Sequence, residues 1–95
     1  MTSPAYWVSR VPVLSTAHVS RETMEWLIAN PGDHEFGVVA NYSHGVFLQL
    51  DNRNEAPEAP AEIRQLQQWI RPRHYQWIRL DTNGDVVPGL PIHDW

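Results

Sequence analysis

The 95-residue sequence contains no cysteine and no lysine. Without cysteine, neither a disulfide framework nor a thiolate metal site can hold the fold. That usage suits a reducing compartment, and a cytoplasmic location is expected. All seven basic residues are arginines, set against eleven acids, for a net charge of −4. An acidic total argues against nonspecific nucleic-acid binding, where a basic face neutralising phosphates dominates affinity. It is compatible with a partner that is itself basic. No apolar stretch approaches the ~20 residues of a membrane span. Residues 1–12 lack the basic start and apolar run of a signal peptide. There is no phosphate-binding glycine loop, and no cofactor is expected.

What the sequence has is aromatic mass. Trp7, Trp26, Trp69, Trp77 and Trp95 each bring a large apolar surface to a chain short enough that its core is thin. Residues 1–10 show no periodicity and read as a tail, leaving residues 11–95 as one domain. Residues 11–14 read as a short buried strand, with Pro12 tolerable at its start or on an edge. Ser20 is a suitable N-cap, Glu22 follows in the first turn, and Thr23, Trp26 and Leu27 recur at helical spacing. Asn30, Pro31 and Gly32 stop that helix, predicted over 21–29. Residues 36–42 and 46–50 alternate as strands, and Ser43, His44 and Gly45 make their connection a hairpin. Pro60 opens a second helix over 61–70, with Ile63, Leu66, Trp69 and Ile70 as its apolar stripe. Residues 75–80 form another strand, Asn83-Gly84 a turn, and Val86 and Val87 start a short last strand. The order β-α-β-β-α-β predicts a ferredoxin-like α+β domain with both helices on one face of an antiparallel sheet.

Few residues offer chemistry. His18 follows a buried strand and precedes a helix start, with Ser15 and Thr16 beside it. A Ser-His pair there, with Asp94 folded back against it, would be the catalytic candidate of a small hydrolase or transferase. No Gly-x-Ser-x-Gly elbow supports that reading, and the three residues can equally satisfy backbone groups at the junction. The five histidines lack the helical spacing of a zinc pair, so no metal site is expected. Asp81, Asn83 and Asp85 imitate the start of a calcium loop, but Gly84 and Ile92 stand where that loop needs other residues, and a turn is expected. Arg71, Arg73, His74 and Tyr75 mix cations with aromatics, which can grip nucleic acid but more often completes a helix C-terminus. For partner binding two places compete. One is the acidic loop carrying Asp51, Glu55 and Glu58, and the other is the aromatic pair Tyr6 and Trp7.

Leu14 to Ser20, followed by Glu22, Thr23, Trp26 and Leu27, resembles the opening of a family of small uncharacterised bacterial proteins. That family is a domain of unknown function often carried on plasmids and other mobile elements. The likeness continues in Gly45, Val46, Phe47 and Leu48, resumes at Leu80, Asp81, Gly84 and Asp85, and ends with Leu90-Pro91-Ile92-His93-Asp94-Trp95, similar to the family's terminal Leu-Pro-x-x-Asp-Trp. The acidic loop over 51–59 is longer than the family pattern. The resemblance carries over no catalytic residue. It implies a mobile-element setting, in which small acidic single-domain proteins often antagonise host defence. The expectation is therefore a protein-binding inhibitor of the anti-CRISPR type, with a nucleic-acid-binding effector as its partner. A self-associating structural or regulatory accessory protein and a small enzyme centred on His18 are the alternatives. A terminal Trp after Leu-Pro-Ile is too apolar to leave in water, so the C-terminus is expected to fold back, with Asp94 reaching the loop from Ser15 to His18.

Overall fold

The computed structural model describes residues 8–50 and 59–95. Seven main elements follow one another: β1 (Val13–Ser15), α1 (Arg21–Ala29), β2 (Gly32–His34), β3 (Gly37–Tyr42), β4 (Gly45–Gln49), α2 (Glu62–Ile70) and β5 (Trp77–Asp81). A 3-10 turn over Thr16–His18 links β1 to α1, and another over Arg71–Arg73 extends α2.

Local chemistry sets the helix ends. Ser20 is extended and its Oγ accepts from the Thr23 N–H, so α1 starts where the sequence places it. Pro31 stops it, and the Asn30 side chain donates to the Trp26 carbonyl at 2.7 Å. Helix α2 starts two residues after Pro60, whose carbonyl accepts from the Ile63 N–H. At its far end Pro72 forces the 3-10 turn, and His74 closes it in the left-handed conformation at φ 61°.

The strands form one five-stranded sheet in the order β1-β5-β4-β3-β2. Two rows of one face, Val39-Leu48-Ile78 and Leu14-Leu80-Val46, are buried. Met24 and Leu27 of α1 and Ile63, Leu66, Trp69 and Ile70 of α2 join them in a single core. Trp26 is only partly buried, at the margin of that core. Both helices therefore lie on one face of an α+β domain, as the apolar stripes predict. None of the described helices is long and apolar enough to cross a membrane.

Three features depart from the ferredoxin-like expectation. First, the sheet is mixed, not antiparallel: β1 runs parallel to β5 at its edge, with Val13 opposite Arg79. The Pro12 carbonyl accepts from the Arg79 N–H there, and a proline, having no N–H to give, is tolerated at an edge. Second, residues 32–34 form a strand rather than a loop. Gly32 reverses the chain at φ 112°, and His34 stacks on Phe36 and sits against Trp26, holding the segment against β3. Third, Val86 and Val87 start no strand. Only Asp85 touches the sheet, bridging β1 in parallel through Ser15 N–H to Asp85 O at 2.8 Å. The chain then runs as a strap from Asp85 to Trp95, turning at Pro88 and Gly89.

Candidate functional site

The junction between β1 and α1 is where the sequence puts its catalytic candidates, and the structure gives Ser15 and His18 other work. Ser15 caps the 3-10 turn, its Oγ accepting from the Ala17 N–H at 3.1 Å. His18 is buried, at 1% exposure. Its Nε2 lies 2.9 Å from the Val87 nitrogen and its Nδ1 2.9 Å from the Pro91 carbonyl. The Val87 N–H can only donate, so Nε2 is the acceptor and Nδ1 carries the proton toward Pro91. Both ring nitrogens are thereby committed to the strap. Asp94 is exposed, and it is the His93 N–H, not the Asp94 carboxylate, that reaches the turn, donating to the Ala17 carbonyl at 2.7 Å. Ser15, His18 and Asp94 thus form no nucleophile-base-acid chain. The C-terminus does fold back: the Trp95 indole donates to the Val19 carbonyl at 3.0 Å, although 48% of the residue stays exposed.

The polar group that joins this region together is Glu62. Its carboxylate accepts from the Ser20 N–H at 2.7 Å, from Ser20 Oγ at 2.6 Å and from the Thr23 hydroxyl, and His93 Nε2 approaches it to 3.0 Å. Glu62 opens α2 and Ser20 caps α1, so one carboxylate serves the positive ends of two helices and holds the strap. Burial pushes its pKa up, but the hydrogen bonds from Ser20 and Thr23 and the neighbouring His93 outweigh that, and the net shift is downward. Sequence reasoning gave Glu62 no role. Its partner Ser20 lies 42 positions away, and no local signal connects them.

The sheet face away from the helices has a different character. Tyr42, Phe47, Trp77 and Arg79 are all half-buried on it. The Arg79 guanidinium lies 5.6 Å from the Tyr42 ring centre and 5.9 Å from that of Phe47, and 3.6 Å from the Asp81 carboxylate. The Tyr42 hydroxyl donates to Asp81, whose other oxygen accepts from the Asn83 N–H at 2.7 Å. Burial, then the hydrogen bond to Asp81 and its charge, raise Tyr42 to about 12. The Tyr42 hydroxyl and the Asn83 N–H, helped by Arg79 and His44 against the cost of burial, hold Asp81 below the ordinary carboxylate range. The Asp81-x-Asn83-x-Asp85 run is thus a turn, and no three His, Cys, Asp or Glu among the described residues gather as metal ligands.

The proposed partner-binding residues Asp51, Glu55, Glu58, Tyr6 and Trp7 lie outside the described residues.

Residues 11–95 match the model of the C-terminal domain of a family of unknown function, DUF5983. The chain belongs to that family. The DUF5983 match spans all seven elements and the strap. No curated protein and no solved structure matches the chain.

Proposed function

We propose that this DUF5983 domain is a binding module that docks a protein partner on the helix-free face of its sheet. The observation that supports it is the set Tyr42, Phe47 and Trp77 around Arg79 on that face, where a merely solvated sheet surface would alternate to small polar groups. Aromatic rings beside an arginine are the side chains that concentrate binding energy in protein interfaces. The finer proposal is that the partner is a host-defence complex of the CRISPR type, met in the cytoplasm by a protein carried on a mobile element. It draws on the small size, the net charge of −4 and the resemblance carried by Leu14 to Ser20 and Leu90 to Trp95. The acidic residues Asp51, Glu55 and Glu58 would then add a contact to a basic, nucleic-acid-binding surface.

The test uses purified CRISPR effector complexes and reads their binding to target DNA with and without the protein. Inhibition is expected. The pair Phe47→Ala, Trp77→Ala should weaken it at least ~10-fold at any salt concentration. Joint charge reversal of Asp51, Glu55 and Glu58 should weaken it chiefly at low salt, because exposed charges are screened beyond ~8 Å at physiological ionic strength. A parent protein that leaves every effector unaffected would overturn the target. A Phe47, Trp77 variant as potent as the parent would overturn the docking face.

A further inference from the structure

The helix-free face of the sheet has a cation at its centre that the fold leaves short of acceptors. Arg79 stands on β5 between Val13 of β1 and Phe47 of β4, with Trp77 two residues before it on the same face. Resting on the docking face proposed above, we infer that the partner places an aspartate or glutamate carboxylate against the Arg79 guanidinium. The acid would come from a segment that carries apolar side chains beside it.

Three observations support the contact. The guanidinium is positioned by rings: it lies 5.6 Å and 5.9 Å from the centres of Tyr42 and Phe47, which themselves pack 5.1 Å apart. Its own acceptors fall short. Arg79 Nε is closed off from solvent with no hydrogen-bond partner. The Asp81 carboxylate stays 3.6 Å from Nη2, beyond hydrogen-bond distance. Both Asp81 oxygens are already engaged, one by the Tyr42 hydroxyl and the other by the Asn83 N–H. Access differs too. The Asp81 side chain is 9% exposed and that of Arg79 37%, so an incoming group meets the cation and not its acid.

These conditions select the occupant. A wholly apolar partner would strip water from the remaining guanidinium donors and leave nothing in its place, which is unfavourable. A carboxylate replaces that water with charge-assisted hydrogen bonds, and the rings around it shield them. A nucleic-acid backbone would bring many charges against a chain of net charge −4, whereas one carboxylate meets only the local cation. Asp33, on the same face, sits on β2, three strand spacings or about 14 Å from β5. That lies past the ~8 Å over which exposed charges act at physiological ionic strength.

The experiment is an NMR titration of the full chain with the capped peptide acetyl-Ala-Phe-Glu-Phe-Ala-amide, with its glutamine counterpart and with a single-stranded oligonucleotide. Saturable shifts are expected with the acidic peptide at Phe47, Trp77 and the Arg79 Nε–H. The glutamine peptide should bind at least ~10-fold more weakly, the loss of a charge-assisted hydrogen bond. Arg79→Gln should bring the two peptides within about twofold of each other, closing a double-mutant cycle. Should that variant fail to fold, discrimination by the parent still decides. Equal binding of the two peptides overturns the inference, as does no binding of the acidic one or unchanged discrimination by Arg79→Gln. Preference for the oligonucleotide overturns the partner class. A gain of ~10-fold in peptide affinity on neutralising Asp51, Glu55 and Glu58 together would mean that the chain's own acidic segment fills the place, and would also overturn it. The docking target is judged separately. Acid-selective peptide binding with no effector inhibited would remove the CRISPR target and support the acid contact. Inhibition lost in the Phe47, Trp77 variant but kept in Arg79→Gln would retain the docking face and overturn the acid.

Discussion

His18 shows how a residue type that suggests catalysis can be used up in architecture. Its ring satisfies one backbone donor and one backbone acceptor, 69 and 73 positions further along the chain. His18→Ala would leave the Val87 N–H and the Pro91 carbonyl without that partner and open a cavity, at a cost of about 3–5 kcal/mol. Urea unfolding checks this, and a loss below ~1 kcal/mol would mean the strap is not held there. The titratable residues set a pH window. Glu62 and Asp81 both have pKa values lowered from their ordinary 4.5 and 3.8. Their contribution is therefore fully present above those values and is lost as pH falls through the lower folded-state values. Tyr42 works in the opposite sense. Its neutral form is favoured in the fold, so its contribution is complete below 10.0 and is lost as pH rises toward about 12. Denaturation midpoints should fall on both flanks. Glu62→Gln should flatten part of the acid limb and Tyr42→Phe the alkaline limb, and unchanged limbs in these variants would reject the assignment.

At the scale of elements, the strap is the part most exposed to test. Removing residues 93–95 deletes the His93 bond to Ala17, the Trp95 bond to Val19 and the approach of His93 to Glu62. A fall in the thermal midpoint of at least about 4–8 °C is expected, the equivalent of ~1 kcal/mol in a domain this size. An unchanged midpoint would rule out docking. The strap's start depends on Gly84, where an added Cβ would lie 2.2 Å from the Leu14 carbonyl oxygen. Gly84→Ala should push Asp85 off β1, visible as faster hydrogen exchange of the Ser15 amide. Both helices and the β3–β4 hairpin were legible in sequence because their signals are local: Ser20 and Pro31 bracket α1, Pro60 and Pro72 bracket α2, and Gly45 ends the turn. The direction of β1 was not legible, since Val13 pairs with Arg79 across the length of the domain and nothing in either segment encodes parallel over antiparallel. Strand β2 was hidden because Pro31 and Gly32 read as a stop, while its hold comes from rings packed on it. The candidate site fared similarly. His18 stood out by position, but its role is fixed by the strap, and Glu62 acquires meaning only once α1 and α2 bring their N-termini together.

For the whole molecule, stability is graded across the sheet. Strands β4 and β5 are paired on both sides and contribute Val46, Leu48, Ile78 and Leu80, all fully buried, whereas β2 is a short outer strand. Native-state hydrogen exchange should therefore be slowest in β4 and β5 and fastest in β2, and the reverse order would contradict this core. The place of β1 carries one more consequence. It is the first of the described strands to be made, yet its partners on both sides, Arg79 and Asp85, come only in and after β5, the last of them. At synthesis rates of roughly 5–20 residues per second, Val13 waits about 4–14 s for Asp85 to be joined to the chain. Until then Val13 and Leu14 have no sheet to enter, and the finished domain cannot assemble piecemeal from its N-terminal side. A ribosome stalled between α2 and β5 holds the β3–β4 hairpin and both helices without their closing edge, so the domain completes itself only when its final segment has been added.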